Sequence, residues 1–104
     1  IFPISPPMID QLILSITEQE DSYGYQLSQK IKNVSGVKDS TLYPILKRLQ
    51  EQGFLTVYDQ PFQGRNRRYY RITDSGRERY QELMEEWQLH KEAIDRILKG
   101  GSEE

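Results

Sequence analysis

Ile9, Leu12, Ile13 and Ile16 fall at i, i+3, i+4 and i+7, which gathers them on one face of an α-helix. Pro3, Pro6 and Pro7 keep the residues before this stripe extended. Pro7 suits the first helical position, with Ser5 or Pro6 just outside, because an amide there has no intrahelical partner to lose. The polar run "EQEDS" ends this helix after roughly ten to twelve residues. Ser22 can cap a second helix, "YGYQLSQKIKNV". Leu27, Ile31 and Val34 share one of its faces with Tyr23 and Gly24, and Tyr25 points the other way. Gly24 on the buried face permits close helix packing. After the turn "SGVK", the same spacing returns at Leu42, Ile45, Leu46 and Leu49. This third helix starts at Asp39 or Ser40, and Gly53 suits its left-handed C-terminal position.

The period then changes. "FLTVYDQ" and "RRYYRIT" are rich in aromatic and β-branched residues and read as two strands, with "PFQGRN" as the hairpin loop between them. Thr73 can cap a last helix over residues 74–99, where Tyr80, Leu83, Met84, Trp87, Ile94, Ile97 and Leu98 recur at helical spacing. Such a helix is about 37 Å long, more than the preceding residues can cover. Gly100 and Gly101 stop it, and the acidic end is expected to fray. The predicted fold is mainly α with a small β-hairpin: a winged helix-turn-helix over residues 1–73, then one long dimerisation helix and an acidic tail over 74–104.

Pro44 lies inside the third helix, where proline costs roughly 3 kcal/mol in an interior. With Ser40 as the cap it falls at the fourth helical position, and only the first intrahelical bond is lost. It also lies opposite the leucine stripe, where it reads as a rigid, donor-free bump.

Hydrophobic residues make up 36% of the 104 residues, lean for a self-sufficient core, and a partner subunit would bury more. Net charge is −2, which argues against indiscriminate polyanion binding. The positive charge is concentrated in the middle, because residues 38–71 hold seven basic and three acidic side chains. The absence of cysteine excludes disulfide frameworks, thiolate zinc sites and cysteine nucleophiles. A single histidine, His90, gives no basis for a metal site, and no nucleophile–base pair or phosphate-cradling motif occurs. Neither an enzyme nor a cofactor is expected. No apolar run approaches the ~20 residues that span a bilayer. "IFPISPPM" lacks signal-peptide features, and the missing initial Met suggests processing or trimming. The expected location is the cytoplasm, with no membrane partner.

On the third helix Ser40, Pro44, Lys47 and Glu51 face away from the apolar stripe, flanked by Tyr43 and Arg48. Small polar, aromatic and basic groups at the start of such a helix suit a recognition helix meeting base edges and phosphates. Lys38 and Thr41 join the same candidate DNA-binding set. An ordinary solvated face would look similar in isolation; the third-helix position before a basic hairpin favours recognition. The wing "QGRNRRYYR" interleaves arginines with tyrosines, suiting phosphate contacts; a charged edge strand is the alternative. Strand alternation puts Arg68, Tyr70 and Ile72 on one face and Arg67, Tyr69 and Arg71 on the other. Arg65 and Arg67 are the chosen DNA contacts. Tyr25, near the start of the second helix, suits a backbone phosphate. On the last helix, Tyr80, Trp87 and Ile94 with Leu83, His90 and Ile97 form a seam at seven-residue spacing, a candidate homodimer interface. Trp87 reads either as an anchor of that interface or as the wall of a pocket for a flat aromatic ligand.

"YGYQL" (23–27), "STLYPILKRLQEQGFL" (40–55) and "GRNRRYYRITDSGR" (64–77) together resemble the PadR family of bacterial transcriptional regulators, over roughly residues 8–98. The resemblance implies a winged-helix DNA-binding domain, a C-terminal dimerisation helix, and promoter repression relieved by a small molecule. With one C-terminal helix the chain is similar to the short subfamily, which includes multidrug-responsive members. In some of those an aromatic residue of the last helix lines a ligand pore at the dimer centre, and Trp87 matches that position. The expectation is a homodimeric repressor on a double-stranded operator, with recognition helices about 34 Å apart. The alternative is a winged-helix module that binds protein.

Overall fold

The computed structural model describes residues 4–100; Pro3, Gly101 and the acidic end lie outside them. The order is α1 (Pro6–Gln19), β1 (Ser22–Tyr23), α2 (Gly24–Ser35), α3 (Asp39–Glu51), β2 (Leu55–Phe62), β3 (Arg65–Ile72) and α4 (Asp74–Leu98). The strands form one antiparallel sheet in the order β1-β3-β2. Helix α1 begins one residue earlier than expected, with Ser5 outside and both Pro6 and Pro7 in the first turn.

Ser22 does not cap α2. It is buried in β1, a short third strand that the sequence pattern did not announce, and pairs with Tyr70 of β3. Tyr23 takes the cap position, and its amide donates to Gln26 Oε1 at 3.3 Å. The hairpin loop is also tighter than "PFQGRN". Both strands continue until only Gln63 and Gly64 remain, at φ 50° and 79°. Two left-handed residues give the turn whose twist matches the flanking strands. Pro61 is tolerated inside β2 because β2 is an edge strand.

The core combines Ile9, Ile13 and Leu14 of α1, Leu27 and Ile31 of α2, Leu42, Leu46 and Leu49 of α3, Leu55, Tyr70 and Ile72 of the sheet, and Leu83 of α4. Leu14, outside the expected stripe, is fully buried because α1 is covered on several sides, by α2, α3, α4 and β3. Val34 is a correction: it is 57% exposed. The last turn of α2 runs past the core before Gly36 closes it in the left-handed region. Leu12, Ile16 and Ile45 are half-buried at the core's margin.

Helix α3 starts at Asp39 with Lys38 as its cap, so Ser40 is inside the helix. Pro44 is therefore the sixth helical residue and not the fourth, and the carbonyl of Ser40 lacks its usual donor. Pro44 faces solvent, which lets water take that place.

The base of α4 is locked to the preceding elements. Thr73 caps it as expected: its Oγ1 accepts from the Gly76 amide at 3.0 Å and donates to the Gly53 carbonyl at 2.6 Å. Its amide donates to the Phe54 carbonyl at 3.1 Å. Gly76 packs so closely there that a Cβ would stand 2.2 Å from the Phe54 carbonyl oxygen. Beyond Leu83 the helix leaves the core, and Leu89, Ile97 and Leu98 are exposed. The molecule is 62 Å in its longest dimension.

Candidate nucleic-acid interface

Three elements converge on one surface: the start of α2, the start of α3 and the inner side of the wing. Tyr43 of α3 lies across Gly24, where a Cβ would stand 3.0 Å from its hydroxyl. The expected close approach at Gly24 thus exists, and the ring of Tyr43 fills it. Ser40, Thr41, Pro44 and Lys47 are exposed on the same helix, and Lys38 stands at its cap. The carboxylate of Asp39 accepts from Ser28 Oγ at 2.6 Å and pairs with Lys32 at 3.4 Å. These bonds, the Ser28 hydroxyl foremost, hold its pKa below the ordinary value. They tie the start of α3 to α2 and place negative charge where the helix dipole favours it.

Between these helices and the wing is an open cleft of about 470 Å³, bordered by Tyr23, Gly24, Tyr25 and Tyr43 on the helix side and by Asp59, Asn66, Arg67, Arg68 and Tyr70 on the wing side. Tyr25 is 64% exposed. Burial pushes the Tyr70 hydroxyl up in pKa, with Arg68 opposing and Tyr43 adding, so it remains a neutral donor at physiological pH. Arg68, which lies outside the expected pair Arg65 and Arg67, is at this cleft too. The signal was present in strand alternation, because Arg68 shares a strand face with Tyr70 and Ile72, both buried. Its guanidinium pairs with Asp59 across the hairpin at 3.3 Å.

The opposite face of the sheet carries Arg65, Arg67, Tyr69 and Arg71. There the Arg67 guanidinium lies 3.5 Å from the ring centroid of Phe62 and 4.1 Å from that of Tyr23. Tyr69 meets Tyr23 edge-on at 5.5 Å and stacks on Tyr58 at 5.4 Å. Asp21 ends the row, accepting from Tyr58 at 2.6 Å and Arg71 at 3.0 Å. Burial alone would raise the Asp21 pKa, but these two bonds and the charge of Arg71 outweigh it and hold it low. Arg48 is engaged away from the cleft: it pairs with Asp10 of α1 at 2.6 Å and bonds Gln52 at 2.9 Å.

The seam of α4 divides. Leu83 is buried in the protomer's own core, and Tyr80 is half-buried, with its hydroxyl 3.4 Å from Ser15. Trp87, His90 and Ile94 border an apolar groove of about 680 Å³ between α4 and the start of α1, with Met8 and Gln11 on its other side. Ile97 is exposed beyond it. Among the described residues no cluster of three metal-ligating side chains occurs, and no helix is long and apolar enough to cross a membrane.

Residues 13–82 match the Transcriptional regulator PadR-like family. A crystal structure from Streptococcus mutans UA159 is 47% identical, covering 99% of this chain and 97% of that one, with a TM-score of 0.93. A PadR family transcription regulator from Clostridium difficile R20291 is 31% identical over 86% of this chain and 97% of its own, with a TM-score of 0.79. A PadR-like transcriptional regulator from Bacillus cereus ATCC 14579 is 31% identical over 88% and 91%, with a TM-score of 0.80. With the family match covering most of the chain and the winged helix laid out as in those relatives, this protein belongs to the PadR-like family of DNA-binding transcription regulators, which are not enzymes.

Proposed function

We propose that the chain is a cytoplasmic, homodimeric repressor that leaves its promoter when a planar aromatic molecule binds beside Trp87. Residues 1–73 would serve as the DNA-binding unit and residues 74–104 as the dimerisation unit. On the DNA side, Ser40, Thr41, Tyr43, Pro44 and Lys47 of α3 would enter a major groove, with Tyr25 and Lys38 on the flanking backbone. The bases would be read from the first turns of α3, the usual disposition of a recognition helix.

The observation that carries the repressor-and-inducer reading is the groove at Trp87. Its volume of about 680 Å³ lies in the range of small-molecule sites, and its walls are largely apolar. It adjoins the exposed apolar positions Ile94, Ile97 and Leu98 of α4, the side that a second copy would cover. A ligand seated there would push on α1 and α4 together and so alter the spacing of two recognition helices in a dimer.

Trp87 is the sole tryptophan, so its fluorescence reports this site alone. Titration with a panel of planar aromatic dyes should quench it and release a labelled promoter duplex with the same midpoint. A confirmed dimer that shows no quenching across the panel leaves Trp87 as packing only.

A further inference from the structure

We propose that the two adjacent wing arginines have different tasks: Arg68 is the phosphate ligand of the wing, and Arg67 is a positioning residue that holds the wing at its working angle. The assignment rests on the DNA-binding reading of the chain and adds to it which guanidinium does which task.

Consider Arg68 first. It points from the same strand face as Tyr70 and Ile72, toward the side occupied by α3, and borders the cleft with Tyr25 and Tyr43; Arg67 borders that cleft as well, but its guanidinium is held against the Phe62 and Tyr23 rings. Two tyrosine hydroxyls and a guanidinium around an open cleft form a donor-rich seat for a phosphate. Its only ion-pair partner among the described residues is Asp59, at 3.3 Å on an exposed surface. Exposed pairs of this kind are weak, so a phosphate displaces the carboxylate. Asp59 then acts as a competitor, occupying the arginine in free protein.

Arg67 is placed for something else. Its planar group lies between the rings of Phe62 and Tyr23. Phe62 is the last residue of β2 before the turn, and Tyr23 belongs to β1 at the entrance to α2. The guanidinium therefore clamps the wing's outer end to the body of the domain. The row continues through Tyr69 and Tyr58 to Asp21. A two-stranded hairpin alone is only marginally ordered. Such a clamp needs a flat, polarisable group more than it needs a charge. Lysine keeps the charge and lacks the plane, whereas methionine packs well against aromatic rings with no charge at all.

The test uses the full chain and a fluorescein-labelled duplex from the promoter region upstream of its own gene, with anisotropy read from about 50 to 300 mM KCl. Arg68→Ala should weaken binding about tenfold and lower the slope of log Kd against log salt by about 0.9 per bound protomer. Arg67→Met should keep the wild-type slope and bind more tightly than Arg67→Lys. Asp59→Asn should tighten binding by about two- to fivefold, and that gain should vanish in the Arg68→Ala background. The assignment is overturned if Arg67→Met lowers the slope while Arg67→Lys binds like wild type, or if Arg68→Ala keeps the wild-type slope. Wild-type protein that ignores the duplex even at the lowest salt overturns the DNA-binding reading itself, a result distinct from exchanged roles.

Discussion

Gly76→Ala is the smallest substitution that should unfasten α4 from the DNA-binding elements. The added methyl would lie 2.2 Å from the Phe54 carbonyl oxygen and 2.7 Å from Ile72 Cγ1. Real contacts stay beyond 3.0 Å, so the base of α4 must retreat by about 0.8 Å. Phe54 cannot yield easily, because its carbonyl is held by the Thr73 amide at 3.1 Å and its own amide bonds the Leu49 carbonyl at 2.9 Å. Overpacking of this kind costs about 1–3 kcal/mol. The retreat also stretches the Thr73 bonds to Phe54 and Gly53, adding about 1 kcal/mol for each bond weakened. Alanine's better helix propensity returns at most about 1 kcal/mol. The net loss is about 2–4 kcal/mol, which for a domain of this size lowers Tm by roughly 10–25 °C. Thermal unfolding followed by circular dichroism measures it. A Tm within about 3 °C of wild type would refute the claim that this contact is tight and unyielding.

Asp21 predicts an acid limb of stability. Its folded pKa is depressed, so the stability it contributes is present above the ordinary value of about 3.9 and is lost as pH falls through the folded value. Asp21→Asn should therefore unfold at lower urea than wild type at pH 7, with the difference closing toward about pH 2; a constant difference at every pH would contradict this. Arg48→Ala should cost about 1–3 kcal/mol by leaving the Asp10 carboxylate, whose side chain is only 12% exposed, without its partner. It should leave the salt slope of DNA binding unchanged, and a reduced slope would show that Arg48 contacts DNA as the sequence suggested. Pro44→Ala should hold or raise stability by about 1–3 kcal/mol, since it returns a donor to the Ser40 carbonyl, while changing DNA affinity. A destabilised variant with unchanged binding would overturn that.

Most of the fold was legible because the helices repeat one spacing. Leu42, Leu46 and Leu49 are buried where the stripe on α3 placed them, and Thr73 caps α4. What escaped notice depends on pairing between distant segments. The burial of Ser22 and the strand it forms follow from its pairing with Tyr70, which no local pattern encodes. Nothing in the local pattern marks Gly76 in the first turn of α4, and only the approach of Phe54 explains it. At the site, outward-facing residues of α3 were readable from the helical projection. The orientation of Arg48 was not, because Asp10 that captures it lies in another helix. The arginines of the wing were legible as a group. Their division between two faces was written in the alternation, but the face toward α3 could be chosen only once Tyr70 and Ile72 were known to be core.

The central claim is that two copies of this chain read one operator through α3. In vitro selection from a randomised duplex pool tests it most directly. The account predicts enrichment of two inverted half-sites whose centres lie about 10–10.5 base pairs apart, or a multiple of that. Uniform weak retention with no enriched sequence would contradict it.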